Sequence, residues 1–193
     1  MPERHQSIVF VICGPSGVGK TTLVDQLLAH DPQLRFSVSM TTRAPRAGEV
    51  EGTDYHFVDE AAFAKAVAAG ELLEHAVYNR HRYGTPRAEI ERAQRDGFDL
   101  VLDIDVQGAR QIRDSGAAAV FIFIAPPDFE ALAKRLRGRA TESEADFQRR
   151  LETARQELAE RTWFDYEVVN DELETAVAAL REIIAAERRR AGA

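Results

Sequence analysis

The chain has 193 residues, enough for one sizeable core, and its 45% apolar and 30% charged composition is that of an ordinary globular protein. No apolar run nears the roughly 18 residues of a membrane helix, and a net charge of −7 argues against general nucleic-acid binding. The polar start, Met1 to Ser7, lacks the basic and apolar parts of a secretory signal. One cysteine, Cys13, cannot form an internal disulfide, so a cytoplasmic location is expected.

In chain order, Ser7 to Cys13 is a continuous apolar run, the signature of a strand buried on both faces. A glycine-rich turn follows, then a helix from about Gly19 to His30, stopped by Asp31-Pro32. The stretch from about Phe36 to Gly97 differs in style. Short β-like pieces (Arg35–Ser39, Asp54–Val58, Leu72–Tyr78) surround a helix from Asp59 to Ala69 closed by Gly70, and Thr85-Pro86 is expected to cap a helix returning to the core. Phe98–Asp105, Ala118–Ile124 and Tyr166–Val169 read as further strands. Helices are expected near Gln107–Asp114, Asp128–Arg137 and Glu144–Arg161. A last one, from Asp171 to about Arg190, places Leu173, Val177, Leu180 and Ile184 on one face. The alternation predicts an α/β fold with a central parallel sheet. It forms one domain: a core of about 7–35 and 98–190, an insertion of about 36–97, and a short lid of about 138–150.

Gly14-Pro15-Ser16-Gly17-Val18-Gly19-Lys20-Thr21 fits G-x-x-x-x-G-K-[ST], and it follows a strand and opens a helix. Glycines let backbone N–H groups turn inward around phosphates, and the helix N-terminus adds its positive end. Lys20 is expected on the β- and γ-phosphates of ATP and Thr21 on Mg²⁺, with Thr22 counted in the same ATP-binding set. The plainer alternative is a structural glycine turn. Phe98 to Asp105 ends in two acids, Asp103 and Asp105, which strand periodicity puts on one face at the ligand-bearing end of the sheet. Either the Mg²⁺ shell, with Asp103 as the metal-side carboxylate, or capping of the next helix explains them. Cys13, directly before the loop, reads as a small buried thiol filling a strand position.

Ser39-Met-Thr41-Thr42-Arg43-Ala-Pro45-Arg46-Ala-Gly48-Glu49, then Gly52-Thr-Asp54-Tyr55-His-Phe57, is distinctive. Here the sequence resembles the guanylate kinase family. The resemblance continues through Glu71-Leu-Leu-Glu74, Tyr83-Gly84-Thr85, Asp103-Ile-Asp105-Val-Gln107-Gly108, Arg135-Leu-Arg-Gly138-Arg139 and Val169-Asn170-Asp171, so it spans about Val9 to Ile184. It implies a P-loop kinase three-layer sandwich with an inserted GMP-binding subdomain, and phosphoryl transfer from ATP to GMP and dGMP. By resemblance, Glu74 reads guanine N1 and N2, Ser39 and Thr85 reach O6, and Asp105 is a further acceptor. Arg43, Arg46, Tyr55 and Tyr83 hold the GMP phosphate. In the lid, Arg139 and Arg150 reach the transferring phosphates, while Arg135 and Asn170 meet adenine. Lys20, Arg43, Arg139 and Arg150 form the catalytic set.

Hydrogen-bond chemistry agrees: a carboxylate accepts from two adjacent donors, as guanine presents, whereas adenine offers an acceptor at N1. Read without the family, the Thr41–Arg46 stretch is a basic loop and the lid arginines are a solvated face. His75, where the family often has an aromatic residue, and Arg80-His81-Arg82 before Tyr83 depart from the usual pattern; the histidines read as packing or solvated residues. The expected cofactor is Mg²⁺ brought with ATP, with no tightly bound group, nucleic acid or membrane partner. The sequence points to no particular oligomeric state. Two other readings stay open: a kinase of a related phosphate ester such as ribose 1,5-bisphosphate, and a silent guanylate-kinase-like module that binds protein.

Overall fold

A computed structural model describes residues 7–78, 80–137 and 143–192. The elements in order are β1 (Val9–Cys13), α1 (Lys20–His30), β2 (Leu34–Phe36), β3 (Met40–Thr41), β4 (His56–Phe57), α2 (Glu60–Ala68), β5 (Leu72–Tyr78) and β6 (His81–Pro86). Then come α3 (Arg87–Asp96), β7 (Asp99–Asp103), α4 (Val106–Asp114), β8 (Val120–Ala125), α5 (Phe129–Arg137), α6 (Glu144–Ala159), β9 (Tyr166–Val169) and α7 (Leu173–Ala191). A 3₁₀ turn, Glu160–Trp163, follows α6 directly.

β1 lies at the middle of a five-stranded sheet of order β2-β7-β1-β8-β9, every pairing parallel. Its side chains divide by parity, as a strand buried on both faces requires. Phe10 and Ile12 enter one core with Ile122 and Ile124 of β8, against Leu23 and Leu27 of α1, Leu151 of α6 and Leu180 of α7. Val9, Val11 and Cys13 enter the other with Phe121 and Phe123, against Ala109 and Ile112 of α4. Helices thus cover both faces, giving three layers. Full burial of a side chain the size of Phe10 or Ile12 contributes about 1.5–3 kcal/mol each, so this central strand anchors the loop that follows it.

A second, four-stranded sheet has the order β4-β3-β6-β5. Phe63 and Ala66 of α2 pack on it beside Leu72. The Asp59 side chain caps α2 by accepting the Ala62 N–H at 2.7 Å. At the other end Gly70 and Glu71 donate to the carbonyls of Val67 and Ala66, so the helix stops where Gly70 was expected to close it.

Four expectations change. Arg35–Ser39 is not one strand of the insertion: Leu34–Phe36 is the edge of the core sheet, while Met40–Thr41 belongs to the small one. Thr85 does not cap α3. Pro86 stands at the N-cap without a side-chain bond, and the Thr85 hydroxyl donates to Glu74 instead. The helix expected to run to Arg161 ends at Ala159, its last turn tightening into the 3₁₀ segment. Leu173 sits at the first turn of α7 and is 38% exposed, so the buried stripe begins at Ala176 and Val177. Residues 138–142 of the expected lid, Arg139 included, lie outside the described residues.

Candidate active site

The turn between β1 and α1 occupies the carboxyl edge of the core sheet. Gly14 has φ 149°, and a Cβ there would lie 2.3 Å from the Ile124 carbonyl oxygen of the neighbouring strand. Only glycine lets the loop leave β1 so close to β8. The Lys20 ammonium donates to the Gly14 carbonyl at 2.7 Å and lies 3.9 Å from Asp103 Oδ1, so loop, lysine and acidic strand end meet as the sequence suggests. Burial raises the Asp103 carboxyl above its ordinary value, and Lys20 pulls it back. Thr21 and Thr22 open α1 and are exposed. Cys13 is fully buried, and burial pushes its thiol up, out of reach of nucleophilic chemistry.

The two aspartates part company. β7 ends at Asp103, and Asp105 is the N-cap of α4, its Oδ1 accepting the Gly108 N–H at 2.7 Å. The capping alternative therefore holds for Asp105, and one of its oxygens is already committed to the helix.

A bulge between Leu72 and Glu74 sets β5 so that Glu74 pairs directly with Thr85 of β6. Thr85 Oγ1 donates to Glu74 Oε1 at 2.7 Å, and Glu74 is only 5% exposed. Burial pushes its carboxyl up to about 7; the Thr85 bonds oppose this and the nearby Asp105 charge adds to it. Gly108 supplies the room, since a Cβ there would lie 2.5 Å from Glu74 Oε2. Ser39 lies in the link before β3, its carbonyl accepting the His56 N–H at 2.8 Å.

Arg43 follows β3. Its guanidinium makes a bidentate pair with Glu49 at 2.8 and 2.9 Å and lies over the Tyr55 ring, 5.2 Å from its centroid. Glu49 first, then Tyr83, raises its basicity further. The Tyr55 and Tyr83 rings meet edge to face at 6.0 Å, and burial raises the Tyr55 hydroxyl. Arg46 is exposed, its backbone N–H donating to Glu49 Oε2 at 2.7 Å. Arg43 is thus braced internally, while residues 44–48 of the loop are exposed.

Around the phosphate loop, Arg135 donates to the carbonyls of Val18 (3.3 Å) and Asn170 (3.0 Å), and Asn170 Nδ2 donates to Val18 at 2.7 Å. Arg150 Nη2 lies 3.4 Å from Ser16 Oγ. His75 packs edge-on against Phe63 at 6.5 Å, the packing role expected of it.

The sequence pattern of the guanylate kinase family matches residues 6–187. The chain belongs to the guanylate kinase family. A guanylate kinase of Leifsonia xyli subsp. xyli is 51% identical over 184 residues, 95% of this chain and 71% of that one. One of Symbiobacterium thermophilum is 46% identical over 190 residues, 98% and 90% of the two chains. A crystal structure of guanylate kinase from Anaplasma phagocytophilum superimposes with a TM-score of 0.76 at 34% identity, covering 96% of this chain and 88% of that one. The α/β architecture with its central parallel sheet is therefore the P-loop kinase fold of the guanylate kinases.

Three functional candidates carry no role in the sequence reading. Glu49 was visible in the basic loop, and only its spacing of six from Arg43 hinted at the brace. Gln111 bonds both backbone groups of His75, at 2.8 and 3.1 Å, tying α4 to β5. Glu157 of α6 has a buried oxygen, Oε2, without a hydrogen-bond partner among the described residues, burial pushes its carboxyl up to about 7, and nothing local in the sequence marks it.

Proposed function

We propose that this chain transfers the γ-phosphoryl group of ATP to GMP, and to dGMP, giving ADP and GDP reversibly. The observation that carries this reading is a complete phosphate loop whose Lys20 stands beside Asp103 at the end of β7, together with the buried Glu74–Thr85 pair lying against Gly108 of α4, the helix that Asp105 caps. One end suits a nucleoside triphosphate and the other a base with two adjacent donors.

The amides of the loop from Gly14 to Thr21 cradle the ATP phosphates, and Lys20 exchanges its bond to the Gly14 carbonyl for phosphate oxygens. Arg135 and Asn170, already joined through Val18, form the floor at the adenine end. Arg43, its plane fixed by Glu49, grips the GMP phosphate with Arg46 and the hydroxyls of Tyr55 and Tyr83. Glu74 accepts from N1–H and N2–H, while the Thr85 and Ser39 hydroxyls and Asp105 complete the guanine edge. The attacking phosphate oxygen is already anionic, so no general base is needed. Positioning and fixed charge carry the rate, and Arg150 at Ser16, with Arg139 of the lid, adds cations where charge spreads in transfer.

Hydroxyl and carboxylate oxygens at Thr21 and Asp103 are the hard donors that Mg²⁺ favours, and the raised carboxyl of Asp103 is one that a nearby cation would relieve. These two residues would hold the ion, directly or through water. Bound with ATP, Mg²⁺ neutralises charge on the transferring phosphates. Among the described residues no helix is long and apolar enough to cross a membrane. The buried free thiol of Cys13 suits the reducing cytoplasm, where we place the protein.

Lys20→Ala tests the assignment. It should lower kcat by about 10²–10³ while leaving the KM for GMP within about threefold. Turnover close to that of the unmodified protein would remove Lys20 from the transfer step.

A further inference from the structure

β5 is the edge of the small sheet, so alternate residues along it turn their backbone N–H and C=O outward, away from β6. At His75 a side chain from the core domain takes the place of a further strand. Gln111 of α4 accepts the His75 N–H on Oε1 at 3.1 Å and donates from Nε2 to the His75 carbonyl at 2.8 Å. A primary amide carries an acceptor and a donor side by side, so one glutamine closes both bonds that a neighbouring strand would make. The contact falls next to an irregularity. The register of β5 against β6 shifts between Leu72 and Glu74, so Glu74 lies between a bulge on one side and the glutamine clamp on the other. One turn back along α4 from Gln111, Gly108 faces Glu74 Oε2. α4 is itself fixed to the core: Asp105 caps it through the Gly108 N–H at 2.7 Å, and Ala109 and Ile112 are fully buried among residues of β1 and β8.

We propose that Gln111 is a positioning residue for base recognition: through the His75 backbone it sets Glu74 against α4, and with it the preference for a base bearing both an N1–H and an N2 amine. This rests on the reading of Glu74 as the acceptor for guanine given above. The base fixes the spacing of its two donors, so the carboxylate has to be held to within about 0.5 Å to meet both. A carboxylate displaced by about 1 Å keeps one bond and loses the other. Hypoxanthine has the N1–H and lacks the N2 amine, so its nucleotide, inosine monophosphate (IMP), reports on the first bond alone. Gln111 is exposed, so its amide can be removed without opening a cavity in the core.

Gln111→Ala removes both bonds. Gln111→Met also removes both but keeps the bulk of the side chain, so it restores a packing role and not a bonding one. In the full chain with Mg·ATP, both variants should lower kcat/KM for GMP about tenfold, with KM for ATP within about twofold and kcat within about threefold. For IMP the loss should be only about twofold, so the preference for GMP over IMP falls about fivefold. Unchanged kcat/KM for GMP in both variants would overturn the proposal. So would recovery in Gln111→Met, equal losses for GMP and IMP, or unfolding of both variants, each of which makes the glutamine a brace of the sheet. Turnover of GMP by the unmodified protein, run alongside, judges the kinase reading separately. If that turnover is missing, equilibrium binding of GMP and IMP to the same three proteins still judges Gln111.

Discussion

Glu74 can read guanine only as an anion, yet burial pushes its carboxyl up to about 7. Binding therefore has to favour the ionised form, and two guanine donors would do so by adding to the bonds that Thr85 gives this carboxyl. The sign follows directly. Below about pH 7 the unliganded protein holds a proton on Glu74 that GMP must expel, so the KM for GMP should rise by about fourfold as pH falls from about 8 to about 6.5. It should level off at higher pH. The slope is to be read above about pH 6.5, clear of the phosphate's own second ionisation near 6. Glu74→Gln should raise the KM and remove this slope. An equally steep slope in that variant would place the titration elsewhere. Arg43 shows a related economy at this scale: its bidentate bond to Glu49 fixes the plane of the guanidinium that we propose for the GMP phosphate.

α4 is the element on which the residues proposed to read guanine meet. Asp105 caps it, Gly108 lets Glu74 approach it, and Gln111 pairs with the backbone of His75 on β5, the edge strand of the small sheet. Gly108→Ala would drive a methyl group to within 2.5 Å of Glu74 Oε2. That oxygen ends a flexible side chain, so the fold can accommodate the change while the base reader is displaced. The expected result is a KM for GMP about tenfold or more higher, with KM for ATP within about twofold and little change in melting temperature. Equal losses for both substrates would mean that α4 itself had moved. Elements of this kind were legible in the sequence where their signal is contiguous: the run from Val9 to Lys20 spells strand, loop and helix start in twelve residues. Arg35–Ser39 reads as one strand of the insertion, whereas Leu34–Phe36 joins the core sheet, because three residues carry too little periodicity to name their partner. Thr85 was read as a cap because Thr-Pro has local turn chemistry, whereas its hydroxyl answers to Glu74 on the next strand. Glu157 was silent for a simpler reason. What buries it comes from elsewhere in the chain, and an acid on an amphipathic helix is by default a solvated one.

At the scale of the whole molecule the chain is stitched end to end. Arg188 near the C-terminus bonds Asp99 at the start of β7 and Asp31 after α1, each at 2.7 Å, and Asp99 in turn accepts the Ile8 N–H. The far end of the core sheet is thereby fixed, while its carboxyl end carries the loop and the pocket. The net charge of −7 does not conflict with phosphate chemistry, because Lys20, Arg135 and Arg150 meet around the phosphate loop, bonded to its carbonyls or to the Ser16 hydroxyl, and Arg43 is held by Glu49 in the inserted sheet. That arrangement of one triphosphate site and one guanine-reading site on a single scaffold is the central claim. It is tested most directly by following ADP release from Mg·ATP with GMP, AMP, UMP, CMP and ribose 1,5-bisphosphate offered separately. The account predicts rapid turnover with GMP, exceeding that with AMP by on the order of a thousandfold or more. Turnover with ribose 1,5-bisphosphate but not GMP, or GMP binding without turnover, would contradict it.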